Sequence, residues 1–136
     1  MSFVEARKNI QAHFVNNFTG VPQDQIDYDN VNFDNTCGTW LMFNVQMVKS
    51  KMVAMCGSAT KIRRKGMLYV QINTLNGTGT LESDTIAEEV LEIFETVNLP
   101  TGECFEAGTK IYGGRFKDHH QVTVMVPFYF DQLRSI

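Results

Sequence analysis

Cysteine, proline and long apolar runs are all scarce in this chain of 136 residues. Its three cysteines, Cys37, Cys56 and Cys104, form no Cys-x-x-Cys pair, so neither a zinc site nor a dithiol redox motif is indicated. We interpret them as free thiols that serve as small apolar groups. No run of about eighteen apolar residues is present to span a bilayer, and the first residues lack the basic-then-apolar order of a signal peptide. We therefore expect folding in a reducing cytoplasm, without a membrane partner.

A phosphate-binding loop is missing too, although Asn76–Thr80 is glycine-rich and separates a predicted strand from a predicted helix. Such a loop needs a lysine and a hydroxyl at fixed spacing, or a third glycine within a βαβ unit, and neither is present. His119 and His120 are adjacent, so in a strand they point to opposite faces and do not converge on one metal ion. We expect no enzymatic activity, no catalytic residue, no cofactor and no metal site.

The remaining composition is that of an ordinary folded domain, which we expect to span residues 1–136. Hydrophobic residues make up 43% of the chain and charged residues 20%, and a chain of this length buries enough surface for a core. The formal net charge of −3 gives no general attraction to nucleic acid or to anionic membranes.

Apolar periodicity predicts an α+β fold with the element order helix-strand-strand-helix-strand-strand. Steps of three and four residues predict helices at about 3–17 and 81–96, the first preceded by the capping-box pattern of Ser2 and Glu5. Residues 19–38 are polar and are expected to be irregular. Alternation predicts the strands, with Pro127 at an edge or a strand end; they lie at about 39–48, 67–73, 108–112 and 120–129. We expect a mainly antiparallel four-stranded sheet with both helices packed on one face.

The same periodicity predicts which residues form the core between the helices and the sheet. These residues are Ile10, Phe14, Phe43, Val45, Val70, Ile86, Val90, Phe94, Val124 and Phe128. The sheet face opposite the helices would carry Trp40, Met42 and Tyr129, which makes that face a candidate association surface.

Charge is concentrated in two places. Residues 49–66 hold six of the twelve lysines and arginines, and the densest part is a basic cluster of Lys61, Arg63, Arg64 and Lys65. The outer face of the second predicted helix carries an acidic ridge of Glu88, Glu92 and Glu95. Three interpretations of the basic cluster stay open: a solvated loop that protects a sheet edge, a docking element for an acidic surface, and a contact for nucleic-acid phosphates.

The order of these elements resembles the tail terminator family of long-tailed bacteriophages, of the lambda type. The matching pattern runs through Ser2–Arg7, Asp29–Asp34, Trp40-Leu41, Arg63–Gly66, Leu68–Ile72, Gly77–Thr80 and Val122–Phe128. Each element is weakly specific alone, and the specificity comes from their order and spacing. The stretch from Met52 to Cys56 has no counterpart in the family pattern.

The resemblance implies a structural, non-enzymatic protein of the virion tail. It implies a ring, usually of six copies, on the head-proximal end of the tail tube, where the ring stops tube polymerisation and offers the surface that meets the head. The implied partners are further copies of the chain, the tail tube protein and a head–tail connector protein, with genomic DNA passing through the lumen without sequence-specific binding. Assembly would take place in the host cytoplasm.

A head-to-tail ring needs two different patches on each subunit. We expect the basic cluster of one copy to meet the acidic ridge of the next, with Met52 and Val53 supplying apolar contact. Two other functions stay open at this point: another connector or neck protein of the virion, and a small domain that binds an anion at the Gly77–Thr80 loop.

Overall fold

The computed structural model describes residues 2–28, 38–57, 59–75, 81–116 and 119–135. In chain order the elements are α1 (Phe3–Asn17), a short 3-10 turn (Gln23–Gln25), β1 (Ile26–Tyr28), β2 (Trp40–Cys56), β3 (Ala59–Leu75), α2 (Leu81–Phe94), β4 (Cys104–Phe105), β5 (Thr109–Phe116) and β6 (His119–Ser135). No helix within the described ranges has the length and apolar character needed to cross a membrane.

The expected four-stranded, mainly antiparallel sheet is wrong, although the α+β class is right. Six strands form one mixed sheet in the order β1-β2-β3-β6-β4, and β5 also pairs with β6. The β1–β2 pair is parallel, and the other pairs are antiparallel. β1 has three residues and β4 has two, which is too short for an alternating pattern to be read from the sequence.

Three strands are also much longer than expected. β2, β3 and β6 have 17 residues each, and β2 and β3 form one hairpin that turns at Gly57, where φ is +59°. Glycine adopts this left-handed conformation without steric cost. Register shifts between Met47 and Lys49 and between Met52 and Ala54 break the alternation of β2. The basic segment therefore looked irregular in sequence, although it continues the sheet.

Pro127 lies inside β6 rather than at the sheet edge or strand end that we expected. β4 pairs with β6 at Phe128 and Tyr129, and β5 pairs with it only up to Met125. The Pro127 carbonyl oxygen accepts a hydrogen bond from the Glu106 amide at 2.9 Å in this gap. In an antiparallel strand the nitrogen and the carbonyl of one residue point to the same side, so the proline nitrogen also faces the gap. The ladder with β3 therefore loses no hydrogen bond.

Both helices cover the same face of the sheet, and their bounds agree closely with the sequence. The Ser2 side chain caps α1 by accepting a hydrogen bond from the Glu5 amide, as the capping-box pattern predicts. All ten predicted core residues are buried in one cluster, and Phe94 and Val124 are 0% exposed. The centroids of the Phe14 and Phe43 rings are 4.7 Å apart, so α1 packs against β2 through these two side chains.

Candidate assembly interface

The far end of the hairpin extends beyond the part of the sheet that the helices cover. We call residues 49–56 of β2, 59–65 of β3 and 131–135 of β6 the arm. Met52, Met55 and Leu133 are 58–69% exposed there, whereas Val45, earlier in β2, is 2% exposed. An exposed apolar set at one end of a sheet is typical of an association surface.

One face of the arm carries most of the basic residues. Lys49 pairs in register with Lys65, and Lys65 pairs with Tyr129; one step further out, Lys51 pairs with Arg63, and Arg63 with Asp131. Residues paired across a ladder share a face, and alternate residues of a strand return to it. Because the neighbouring Phe128 faces the core, these residues lie on the face opposite the helices. We call this set, Lys49, Lys51, Lys61, Arg63 and Lys65, the cationic face.

Asp131 is the carboxylate that the arm places on the cationic face. Its two oxygens accept hydrogen bonds from Arg63 Nε at 3.0 Å and Nη2 at 3.2 Å, and Lys61 Nζ lies 3.5 Å from Oδ2. The hydrogen bonds from Arg63 hold the pKa of Asp131 below its usual value and raise the pKa of Arg63. The Arg63 guanidinium also lies 4.4 Å from the centroid of the Tyr129 ring. Arg63 is therefore committed to contacts within its own chain.

The opposite face of the arm carries two exposed methionines among polar side chains. Met52 pairs with Ile62 and Met55 with Thr60, so both methionines lie on the helix side of the sheet. Arg64 lies at the base of this face, where it donates hydrogen bonds to Gln132 Oε1 at 3.1 Å and Ser50 Oγ at 2.9 Å. We call Met52, Met55, Ile62 and Arg64 the methionine face.

The predicted basic cluster is therefore divided between the two faces of the arm. Lys61, Arg63 and Lys65 belong to the cationic face, whereas Arg64 belongs to the methionine face beside Met52. Val53 occupies the second register shift of β2 and is 39% exposed. The sequence holds the signal for this division, since Lys61, Arg63 and Lys65 recur at the two-residue period of a strand, as do Lys49 and Lys51. We missed it because we interpreted the segment as a loop.

The acidic ridge on α2 is smaller than the sequence indicates. Glu88 and Glu92 are exposed, but Glu95 Oε2 accepts a hydrogen bond from the Gly108 amide at 2.6 Å, so that carboxylate is used within the chain. Glu89 likewise accepts a hydrogen bond from the Thr19 amide at 2.7 Å and helps to join α2 to the segment after α1. The acidic ridge that remains accessible consists of Glu88 and Glu92.

A cleft of about 600 Å³ opens between the two helices beside this ridge. Its lining includes polar groups with partners of their own, since His13 Nε2 lies 2.9 Å from the Ile93 carbonyl oxygen. The residues that line it are His13, Asn17, Thr19, Glu89, Glu92, Ile93 and Val97. Glu92 therefore belongs both to the ridge and to the wall of a depression.

The two adjacent histidines considered for a metal site contact different parts of the chain. His119 Nε2 lies 2.9 Å from the Gly38 carbonyl oxygen, whereas the His120 ring packs against Tyr112. Within the described ranges, no three His, Cys, Asp or Glu side chains are grouped so as to hold a metal ion. The Gly77–Thr80 loop and the Asp29–Asp34 element both lie outside the described residues.

The family described as phage tail terminator protein matches residues 7–127 of this chain. The chain belongs to the phage tail terminator family. It is accordingly a structural component of the phage tail, and the resemblance stated from the sequence is confirmed. A solved protein structure whose name states no function has a TM-score of 0.62 at 14% identity, covering 91% of this chain and 94% of that chain. At this identity the likeness shows the fold alone. A search of curated proteins finds no match to the sequence.

Proposed function

We propose that this tail terminator forms a ring, of six copies, on the head-proximal end of the tail tube. There it stops tube polymerisation and presents the surface that a head–tail connector protein meets. The observation that carries the proposal is the methionine face, because its exposed apolar side chains have no cover within the described chain. In the ring that the sequence resemblance implies, this surface would be covered by a neighbouring copy.

The methionine face suits contact with the next copy in a ring. Met52 and Met55 are 58% and 63% exposed, and flexible methionine side chains adapt well to a protein partner. Burial of apolar surface contributes roughly 25 cal/mol per Å², so this face would supply the holding energy. Val53, at the neighbouring register shift, would add to it from the edge of the arm.

The second patch of a head-to-tail ring is the acidic ridge of Glu88 and Glu92. Arg64 lies beside the methionines and bonds to neutral groups within its own chain, so its positive charge is available to a neighbouring acidic surface. Such an ion pair would fix register and steer encounter more than add affinity. Exposed pairs are worth under about 1 kcal/mol and weaken with salt.

Two measurements on the purified full chain test the proposal. Light scattering after size-exclusion chromatography should give the chain alone a mass about six times the 15.4 kDa of one chain. If the ring forms only on the tube, short tubes of the tail tube protein should gain that mass when the chain is added. In a polymerisation assay of that tube protein, the chain should stop elongation when it is added. Tubes that grow at an unchanged rate, with the chain still monomeric, would contradict the proposal.

A matched pair of variants locates the contact. Met52→Asp with Met55→Asp should abolish both the ring mass and the arrest of elongation, because it places charge in the proposed subunit contact. Leu133→Asp introduces a charge at a residue that is 69% exposed on the other face of the arm, and it should leave ring formation intact. Equal loss in both variants would mean that the methionine face has no special role.

A further inference from the structure

The cationic face contains like charges placed directly opposite one another. Lys49 is paired with Lys65, and Lys51 with Arg63, across the β2–β3 ladder. Like charges at directly opposed positions destabilise an antiparallel sheet. Asp131 offsets the second pair through Arg63. Among the described residues, no carboxylate lies within 4 Å of Lys49, Lys51 or Lys65.

From this arrangement we infer that the cationic face is a binding surface for the phosphate backbone of double-stranded DNA. An anionic ligand would relieve the repulsion that the described residues leave uncompensated. Its contacts would come from Lys49, Lys51 and Lys65, the lysines of this face that have no carboxylate within 4 Å among the described residues. Arg63 and Asp131 would act as positioning residues that keep the centre of the face rigid.

The composition of the face favours nucleic acid over an acidic protein. Lysine is depleted at protein–protein interfaces, which favour aromatic residues, methionine and arginine, whereas protein–DNA interfaces are much more positively charged. The lysines lie on one face of this arm, and the exposed methionines lie on the other. The composition that favours DNA and the composition that favours protein are therefore separated.

A duplex is also favoured over a single strand. Binding of single strands relies on aromatic rings on which the bases stack. Tyr129 is the aromatic residue beside these lysines, and its ring is already covered by the Arg63 guanidinium at 4.4 Å. The face therefore offers charge without a free stacking surface, which suits sequence-independent contact with duplex phosphates.

The test measures binding of a fluorescently labelled duplex of about 25 base pairs by anisotropy, between 50 and 200 mM NaCl. Three phosphate contacts per subunit predict that log K falls with log salt with a slope of about −2.7 or steeper. This corresponds to a loss of affinity of about fortyfold over that range. The variant Lys49→Gln, Lys51→Gln, Lys65→Gln should reduce the slope by about 2.7 and weaken binding at 50 mM NaCl by more than about tenfold.

The control is Lys8→Gln, Lys110→Gln, which removes two positive charges from surfaces outside the arm and should keep the wild-type slope. The inference is overturned if the wild type does not bind duplex at 50 mM NaCl, or if both variants lose binding equally. It is also overturned if oligo(dT) binds as tightly as the duplex, or if the lysine variant loses only binding to the tube protein.

The inference does not depend on the ring. Ring mass and tube arrest, measured on the same samples, separate the two proposals. Wild-type duplex binding that the lysine variant loses, in a chain that forms no ring, would retain the inference and reject the proposed function. A lysine variant that loses its ring mass would instead make the cationic face a subunit contact and overturn the inference.

Discussion

Asp131 binds Arg63 through both of its carboxylate oxygens, at 3.0 and 3.2 Å, from the register position directly opposite on the neighbouring strand. This pair joins β3 to β6 within the arm. The pair also neutralises part of the positive charge of the cationic face, at Arg63 and the neighbouring Lys61.

The first prediction concerns pH. Because Arg63 lowers the pKa of Asp131 in the folded chain, the pair stabilises the fold above the unfolded pKa of about 3.9. That stabilisation is lost as the pH falls through the lower folded value. Urea unfolding should show Asp131→Asn less stable than wild type at pH 7, with the difference shrinking below about pH 4. A difference that stays constant down to pH 2 would contradict an ionic contribution.

The second prediction concerns the junction between the arm and the helix-covered sheet. A Cβ atom at Gly66 would lie 2.6 Å from both the Gln46 carbonyl oxygen and Phe128 Cζ. Gly66→Ala should therefore destabilise the fold by about 1–3 kcal/mol through overpacking. In Gly113→Ala the nearest atom lies 3.5 Å away, so this control should unfold at nearly the wild-type urea concentration. Equal midpoints for the two variants would show that the Phe128 ring and the Gln46 carbonyl oxygen both shift at little cost.

The third prediction concerns the core. Phe94 is fully buried and packs against the rings of His13, Phe14 and Phe105. Phe94→Ala should cost about 3–5 kcal/mol of unfolding free energy, measured by chemical denaturation. Val15→Ala, at a residue on α1 that is 40% exposed, should change it by less than about 0.5 kcal/mol. A small loss in the Phe94 variant would mean that the two helices repack around the cavity.

The fourth prediction concerns the ring contact. Arg64→Glu should slow ring formation, as monitored by light scattering, because the new carboxylate would be repelled by Glu88 and Glu92 of the neighbouring copy. Adding Glu88→Lys and Glu92→Lys should partly restore the rate, more so at 50 than at 300 mM NaCl. Lys8→Glu, elsewhere on the surface, is the control and should have little effect. A ring structure with Arg64 more than about 10 Å from any neighbouring α2 would reject this pairing, since that is one Debye length.

Reversal of Arg63 is less informative than reversal of Arg64. Arg63→Glu would place a second carboxylate beside Asp131, so it should weaken the arm itself. A loss of ring formation in that variant would not distinguish a broken subunit contact from a disrupted strand pair. Thermal unfolding measured beside ring mass separates these two effects.

The sequence predicted the parts of the fold that have a clear periodicity. Phe14, Phe94 and Val124 were expected in the core because helix and strand periods place them on apolar faces, and all three are buried. The cap at Ser2 was predictable because it depends on residues three positions apart. In these elements local pattern and tertiary packing agree.

The arm could not be predicted from its pattern, for physical reasons that its residues make clear. Met52, Met55 and Leu133 are exposed, so no fully buried face imposes alternation, and the register shifts at Val48 and Val53 displace the residues that follow. The role of Asp131 was missed because it pairs with Arg63 from 68 positions away. Such a contact depends on the β3–β6 register, which a single sequence does not reveal.

The 17-residue strands have a mechanical consequence. β3 is hydrogen-bonded to a neighbour on both sides from the arm through to the core, and at about 3.3 Å per residue it is roughly 55 Å long. No linker separates the arm from the body, so the arm does not rotate about a loop. A load applied at its tip is carried as shear along the two antiparallel ladders that flank β3, and the stiffness of the arm is that of the sheet itself.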